Sequence, residues 1–422
     1  MNALVRFPLI ALVLCLASPG HPYPLDGFAR TGILRLEGYR LAQAGKVKAR
    51  RLPLGARLAW DRVRLRLADR PGFKIPKIDT PLSHKIQALL GQGEDRFGIA
   101  VLDLSDPDRP GYGEIRGDFK ANPGSVGKLV VALAVFQALA DIFPDDTEKR
   151  MQLLRTAMVL ADDFIRSDHH KVPFYTLESK KVELRPVRMG DRASLWTWLD
   201  WMMSASSNAA ASMVMRELML LVQFKQAYPI SLEKARAFFN HTPRNQLGRL
   251  LAASLQEPLT RNGLDPAFLR QGSFFTRRGK ALVPGTTSHA TPRELMRFLV
   301  KLEQGALVDP FTSHEIKRIL YMTQGRIRYA SSPALAASAV YFKSGSLYSC
   351  KPEPGFKCYK YRGNGINLLN SVAIVEHPAP EPRLHYLVVV MSNVLRKNSA
   401  LLHQTLATEI HGLMEKRHPG VN

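Results

Sequence analysis

Asn122-Pro123-Gly124-Ser125-Val126-Gly127-Lys128, running into the apolar stretch 129–139, is the segment on which the reading of this 422-residue chain turns. Asn122, Pro123 and Gly124 break any preceding strand, and the apolar run behind them is long enough for a buried helix. Ser125 therefore falls at or near a helix N-terminus, with Lys128 one turn later on the same face. A hydroxyl placed there has an amine in reach as a base and a positive helix end behind it.

Ser-x-x-Lys is a short pattern, and it also describes an ordinary capped helix start. A second copy, Ser231-Leu232-Glu233-Lys234, reads that way. What separates the two copies is the sequence that follows the first.

The chain is 45% hydrophobic and 23% charged, which is a globular composition. Its 59 Lys and Arg against 36 Asp and Glu give a net charge of +23, a balance that favours polyanionic partners. Arg6, the apolar run 7–17 and the breaker Ser18-Pro19-Gly20 have the layout of a secretory signal peptide over residues 1–18. The expected location is periplasmic or secreted, with no nucleic acid as partner. Once Cys15 is removed with that peptide, Cys350 and Cys358 remain. An even pair in an exported chain reads as a disulfide, with two free thiols as the alternative.

Residues 30–77 hold 14 Lys and Arg against Glu37, Asp61 and Asp69, so +11 of the charge sits there. Val63-Arg64-Leu65-Arg66-Leu67 alternates like a half-exposed strand. Residues 19–79 read as a basic accessory region, suited either to contact with an anionic cell-envelope polymer or to plain solvation. Beyond it a helix is expected over 80–90 and strands over 97–104 and 113–119, leading into Ser125. Asp162, Asp163, Asp168, His169 and His170 cluster later, but their spacing supports no metal site. The pattern calls for no cofactor.

Two further motifs follow in order. A helix over 193–204, with Leu195, Trp198, Leu199 and Met202 at helical spacing, ends at Ser204-Ala205-Ser206-Ser207-Asn208. A second apolar helix begins at Ala209, so Ser206 and Asn208 are held at a junction. Thr291-Pro292-Arg293-Glu294 is a capping box. Lys343-Ser344-Gly345-Ser346 closes a strand expected over 338–342. Strands over 369–375 and 386–391 and a final helix complete the pattern.

The triplet Ser125-x-x-Lys128, Ser206-x-Asn208, Lys343-Ser344-Gly345 resembles the penicillin-recognising serine enzymes, class A β-lactamases in particular. The resemblance covers about residues 80–416. It implies an α/β (α+β) β-lactamase-like fold over 80–422, in which N- and C-terminal strands form one antiparallel sheet. An all-helical subdomain, about 125–290, is inserted between them.

It also implies roles. Ser125 is the nucleophile and Lys128 its base, while Ser206 relays a proton. Asn208, Lys343, Ser344, Gly345 and Ser346 bind substrate, and the backbone N–H groups of Ser125 and Ser346 form the oxyanion hole. The expected substrates are β-lactams or D-Ala-D-Ala peptides, both carrying a carboxylate. Two departures stand out: Ser207 replaces the usual Asp, and residues 260–290 hold no Glu to activate a deacylating water. Glu257 is the expected substitute, with Asp265 the other carboxylate in that region. A β-lactamase, a D-alanyl-D-alanine peptidase or transpeptidase, and a non-turnover murein-binding or β-lactam-sensing protein all remain open.

Overall fold

A computed structural model describes residues 27–48, 52–323 and 326–420. The signal-peptide reading of 1–18 lies outside the described residues. The described chain opens with α1 (Gly27–Thr31) and α2 (Leu34–Gln43), continues without regular strands to residue 79, and enters α3 (Thr80–Ala88). The Asp79 carboxylate caps α3 by accepting from Leu82 N, and Pro81 occupies the first turn. β1 (Phe97–Asp103) and β2 (Gly111–Ile115) form a hairpin, after which the nucleophile segment makes a tight turn over Gly124–Gly127 and enters α4 (Lys128–Ile142). α4 is buried on every side, which explains why its sequence is apolar throughout rather than on one stripe.

The middle of the chain is mostly helical: α5 (Thr147–Thr156) precedes four short strands, β3 (Met158–Leu160), β4 (Lys171–Tyr175), β5 (Val182–Pro186) and β6 (Arg192–Ser194). These form two small ladders, β3 with β6 and β4 with β5. The helices α6 (Leu195–Met203), α7 (Asn208–Phe224), α8 (Leu232–His241) and α9 (Arg244–Arg261) follow. Ser231 caps α8 by accepting from Lys234 N, so the second Ser-x-x-Lys copy is a helix start and nothing more. A last small ladder pairs β7 (Leu269–Arg270) with β8 (His289–Ala290), on either side of α10 (Arg277–Leu282). Thr291 then caps α11 (Pro292–Glu303), its hydroxyl accepting from Glu294 N, while the Glu294 carboxylate accepts from Asp265 N and Arg297 rather than completing the reciprocal capping box. α12 (Pro310–Tyr321) leads to three long strands, β9 (Ala339–Ser349), β10 (Ile366–His377) and β11 (Leu384–Asn393), and to α13 (Ser399–Arg417).

The sheet has the order β2-β1-β11-β10-β9 and is antiparallel throughout. N-terminal and C-terminal strands thus share one sheet, as the resemblance implies. On one face α3 and α13 pack through Leu82, Ile86, Leu406 and Ile410. The other face lies against the layer built on α4, α6, α7 and α11. With both faces covered, β1 and β11 are apolar runs rather than alternating ones.

Two local expectations change. The third motif does not close its strand: β9 runs on to Ser349, because β10 offers partners as far as Ile366. And 63–67 is not a strand. Val63 and Leu67 are buried, but their backbone groups go to side chains and loop ends instead of a neighbouring strand. Arg66 N donates to Glu303 Oε2 (2.7 Å), Leu67 N to Glu303 O (3.0 Å), and Lys317 Nζ donates to Arg64 O (2.6 Å). Lys317 also bridges Glu303 and Glu376 at 2.6 and 2.7 Å, and Arg66 reaches Glu376 at 2.9 Å. At the other end of this segment, Arg35 on α2 makes a two-pronged pair with Asp200 on α6, 2.5 and 2.6 Å, both side chains buried. Two of the basic residues at the N-terminal end, Arg35 and Arg66, therefore serve internal ion pairs.

Candidate active site

The site forms where the Gly124–Gly127 turn, the α6–α7 junction and the middle of β9 converge. Gly345 is what lets strand and turn touch. A Cβ there would lie 2.3 Å from Pro123 O and 2.4 Å from Ser125 N, so only glycine fits. On the turn side, Gly124 adopts φ +54° and faces Ser346 N. The backbone nitrogens of Ser125 and Ser346 thereby lie on either side of this close strand–turn contact. Asn122 ties the turn down, its Oδ1 accepting from Gly124 N and its carbonyl from Asn370 Nδ2 on β10, both 2.9 Å.

Lys128 is wholly buried, and its amine is the hub. Nζ lies 3.1 Å from Ser125 Oγ, 3.0 Å from Asn208 Oδ1, 2.6 Å from Ser206 O and 3.4 Å from Ser206 Oγ. Ser206 sits at φ +58°, a left-handed conformation a serine adopts at some cost, with its carbonyl toward Lys128 and its hydroxyl toward both Lys128 and Lys343. Lys343 Nζ reaches Ser206 Oγ at 2.8 Å. Burial, with Arg328 nearby, brings the Lys128 pKa down to about 7, against an upward pull from Asp168. Burial pushes Lys343 down as well, helped by Lys128 and Arg328; a carboxylate ligand would supply the missing countercharge.

The structure thus brings together Ser125, Lys128, Ser206, Asn208, Lys343, Ser344, Gly345 and Ser346. It does not bring Glu257. That residue is exposed on α9, beside Arg261, with no bond to any of these groups. Asp265 is exposed too, turned to Ala267 N. What flanks Lys128 from the 269–290 region is Phe275, whose ring centroid is 4.8 Å from Nζ.

Residues 81–412 match the model of the beta-lactamase enzyme family. The chain belongs to this family. Among solved structures, this beta-lactamase-family protein is similar to PBP-A (15% identity, TM-score 0.51), with 81% of this chain and 100% of that one covered. It is also similar to TLA-3 extended-spectrum beta-lactamase (13%, 0.51), over 79% of this chain and 98% of that one. A representative class A beta-lactamase from Bacteroides cellulosilyticus DSM 14838 gives 16% and 0.50, over 79% and 96%. At such identities the likeness is one of fold. No curated protein matches the sequence.

Three residues of this beta-lactamase-family site escaped the motifs. Arg328 donates to Ser344 Oγ and, at 2.6 Å, to Tyr361 OH, while its buried Nε has no partner. It sits beside Ser344 of the third motif. Tyr361 belongs to the loop between β9 and β10, which the expected Cys350–Cys358 disulfide closes. Asp168 stands behind the second motif. Nothing in the spacing of Arg328 or Tyr361 marks them. Asp168 was visible only as one acid in a mixed cluster.

Proposed function

We propose that this protein is a β-lactamase-like serine hydrolase that acts through a Ser125 acyl-enzyme on β-lactam amides. The observation that carries the reading is the buried Lys128 amine, 3.1 Å from Ser125 Oγ and held near neutrality at physiological pH. As Ser125 Oγ attacks the carbonyl carbon, neutral Nζ takes the hydroxyl proton. The developing oxyanion sits between the N–H groups of Ser125 and Ser346. Ser206, touched by both amines, passes a proton to the departing ring nitrogen, so the C–N bond breaks as the acyl–oxygen bond forms. Lys343, Ser344 and Arg328 take the substrate carboxylate.

A second reading, a D-alanyl-D-alanine peptidase or a protein that stays acylated, draws support from Phe275. An aromatic ring, and no carboxylate, flanks Lys128 on the side of the 269–290 region. On either reading the acyl-enzyme is the species expected to accumulate, since neither Glu257 nor Asp265, both exposed, is placed beside Lys128 to activate a water. The export signal over 1–18 puts the reaction outside the cytoplasm, and exposed Lys46, Lys48, Lys74 and Lys77 are the residues we assign to contact with an anionic envelope polymer.

Intact-mass measurement after incubation with a fluorescent penicillin tests the central claim. One adduct per chain is expected, absent from Ser125→Ala. Equal labelling of that variant would refute the nucleophile. Arg328→Ala should raise the penicillin concentration for half-maximal acylation by about 10–100-fold, the worth of hydrogen bonds to a charged group. An unchanged concentration dependence would remove Arg328 from the carboxylate site.

A further inference from the structure

The second motif of this chain has a hydroxyl, Ser207, where its relatives by motif have a carboxylate, and the structure supplies a carboxylate from elsewhere. Asp168 lies on the segment between the Asp163–Ile165 turn and β4, and its side chain is only 3% exposed. Its Oδ2 accepts from Ser207 Oγ at 2.9 Å and from Ala209 N at 2.8 Å. Its Oδ1 accepts from His170 N at 3.3 Å and meets His170 Nδ1 at 2.6 Å. Ser207 in turn accepts from Ala210 N and so caps α7. The hydroxyl is thus a bridge: it passes the pull of a distant carboxylate into the helix that begins with Asn208.

We propose that Asp168 is the positioning residue of the second motif, holding Ser206 and Asn208 against Lys128 and setting the charge that the amine meets. This rests on the acyl-enzyme reading of Ser125. Burial alone would raise the Asp168 pKa, but His170, Ala209 N–H and the Ser207 hydroxyl outweigh it and hold the carboxyl well below the usual range. The group is therefore an anion throughout the working range. The charges that face Lys128 are Asp168 from this segment, which favours its protonated form, and Arg328 from the segment before β9, which opposes it. Lys343 on β9 is a third neighbour, and His170 acts on Asp168.

A purely structural residue, once removed, would slow acylation at every pH alike. A positioning anion does more. Asp168→Asn keeps the shape and removes the charge. Lys128 then loses the acidic neighbour that raises its pKa, so that pKa falls and the acid limb of the acylation–pH profile moves to lower pH. Misplacement of Ser206 should also cut the maximal rate by up to about 10²-fold.

The test measures two things on the full chain: penicillin acylation rate against pH, and the titration of the Lys128 side chain by carbon-13 NMR, assigned with Lys128→Arg. In Asp168→Asn both the NMR midpoint and the kinetic limb are expected to move down together. The double variant Asp168→Ala, Ser207→Asp returns a carboxylate to the head of α7, and it should acylate at least about tenfold faster than Asp168→Ala alone. An unmoved Lys128 midpoint in Asp168→Asn, or a double variant no faster than the single one, would overturn the proposal. A wild type that never forms the adduct would instead overturn the acyl-enzyme reading, and the NMR comparison would still decide the role of Asp168.

Discussion

Lys128→Ala should slow acylation of Ser125 by about 10²–10⁴, the range for loss of a general base. In the wild type the rate depends on the neutral fraction of an amine with a pKa of about 7. Protonation removes the base, so the rate should fall about tenfold for each pH unit below that midpoint. The variant should lack this limb altogether. Stopped-flow acylation over pH 5 to 9 checks both statements at once, and a variant that kept the wild-type limb would mean that some other group accepts the proton. The distances leave little choice of candidate, since Lys128 Nζ is the amine that touches Ser125 Oγ.

Arg35→Ala is the second large effect, and it concerns stability. Asp200 is fully buried on α6, and Arg35 holds both its carboxylate oxygens. Removing one partner leaves a buried charge, at a cost of about 3–5 kcal/mol. Replacing the two together, Arg35→Met with Asp200→Leu, should recover most of that loss, because the desolvation penalty goes with the pair. Urea unfolding of the three variants reads this directly; a single variant within about 1 kcal/mol of wild type would show that the pair is incidental. The effect should extend to the site. Ser204 N and Oγ both bond to Asp200 O, and Ser204 starts the bend that carries Ser206. The segment before residue 79, outside the span of the family match, thus ties onto the helix that leads into the second motif.

The three motifs were legible because each packs its chemistry into three or four consecutive residues next to a helix start or on a strand, where backbone geometry fixes which way side chains point. The cap at Thr291 was legible for the same local reason, and the disulfide from the even number of cysteines left in a chain read as exported. Asp168 and Arg328 were not, since each reaches the site through irregular chain and owes its role to a partner far away in sequence, Ser207 and Ser344 respectively. Glu257 shows the converse failure. Proximity in sequence to the expected loop made it a candidate, but α9 carries it to the solvent side. The alternation at 63–67 misled because buried Val63 and Leu67 satisfy the apolar pattern of a strand, while Glu303 and Lys317, unseen in that window, take the backbone groups a strand neighbour would have taken.

The strand order also decides when a catalytic centre can exist. Phe97 pairs with Ser392, and Asn122 is anchored by Asn370, so the early part of the chain finds its neighbours only near the end. Closing loops of that size costs entropy before any contact repays it, which makes assembly slow and dependent on the whole polypeptide. Until β10 is in place, β9 has no strand beside it, and Asn122 lacks the Asn370 anchor that ties down the Ser125 turn. A growing chain that has passed Ser346 but not yet β10 contains all three motifs, but neither the strand that pairs with β9 nor the side chain that anchors Asn122.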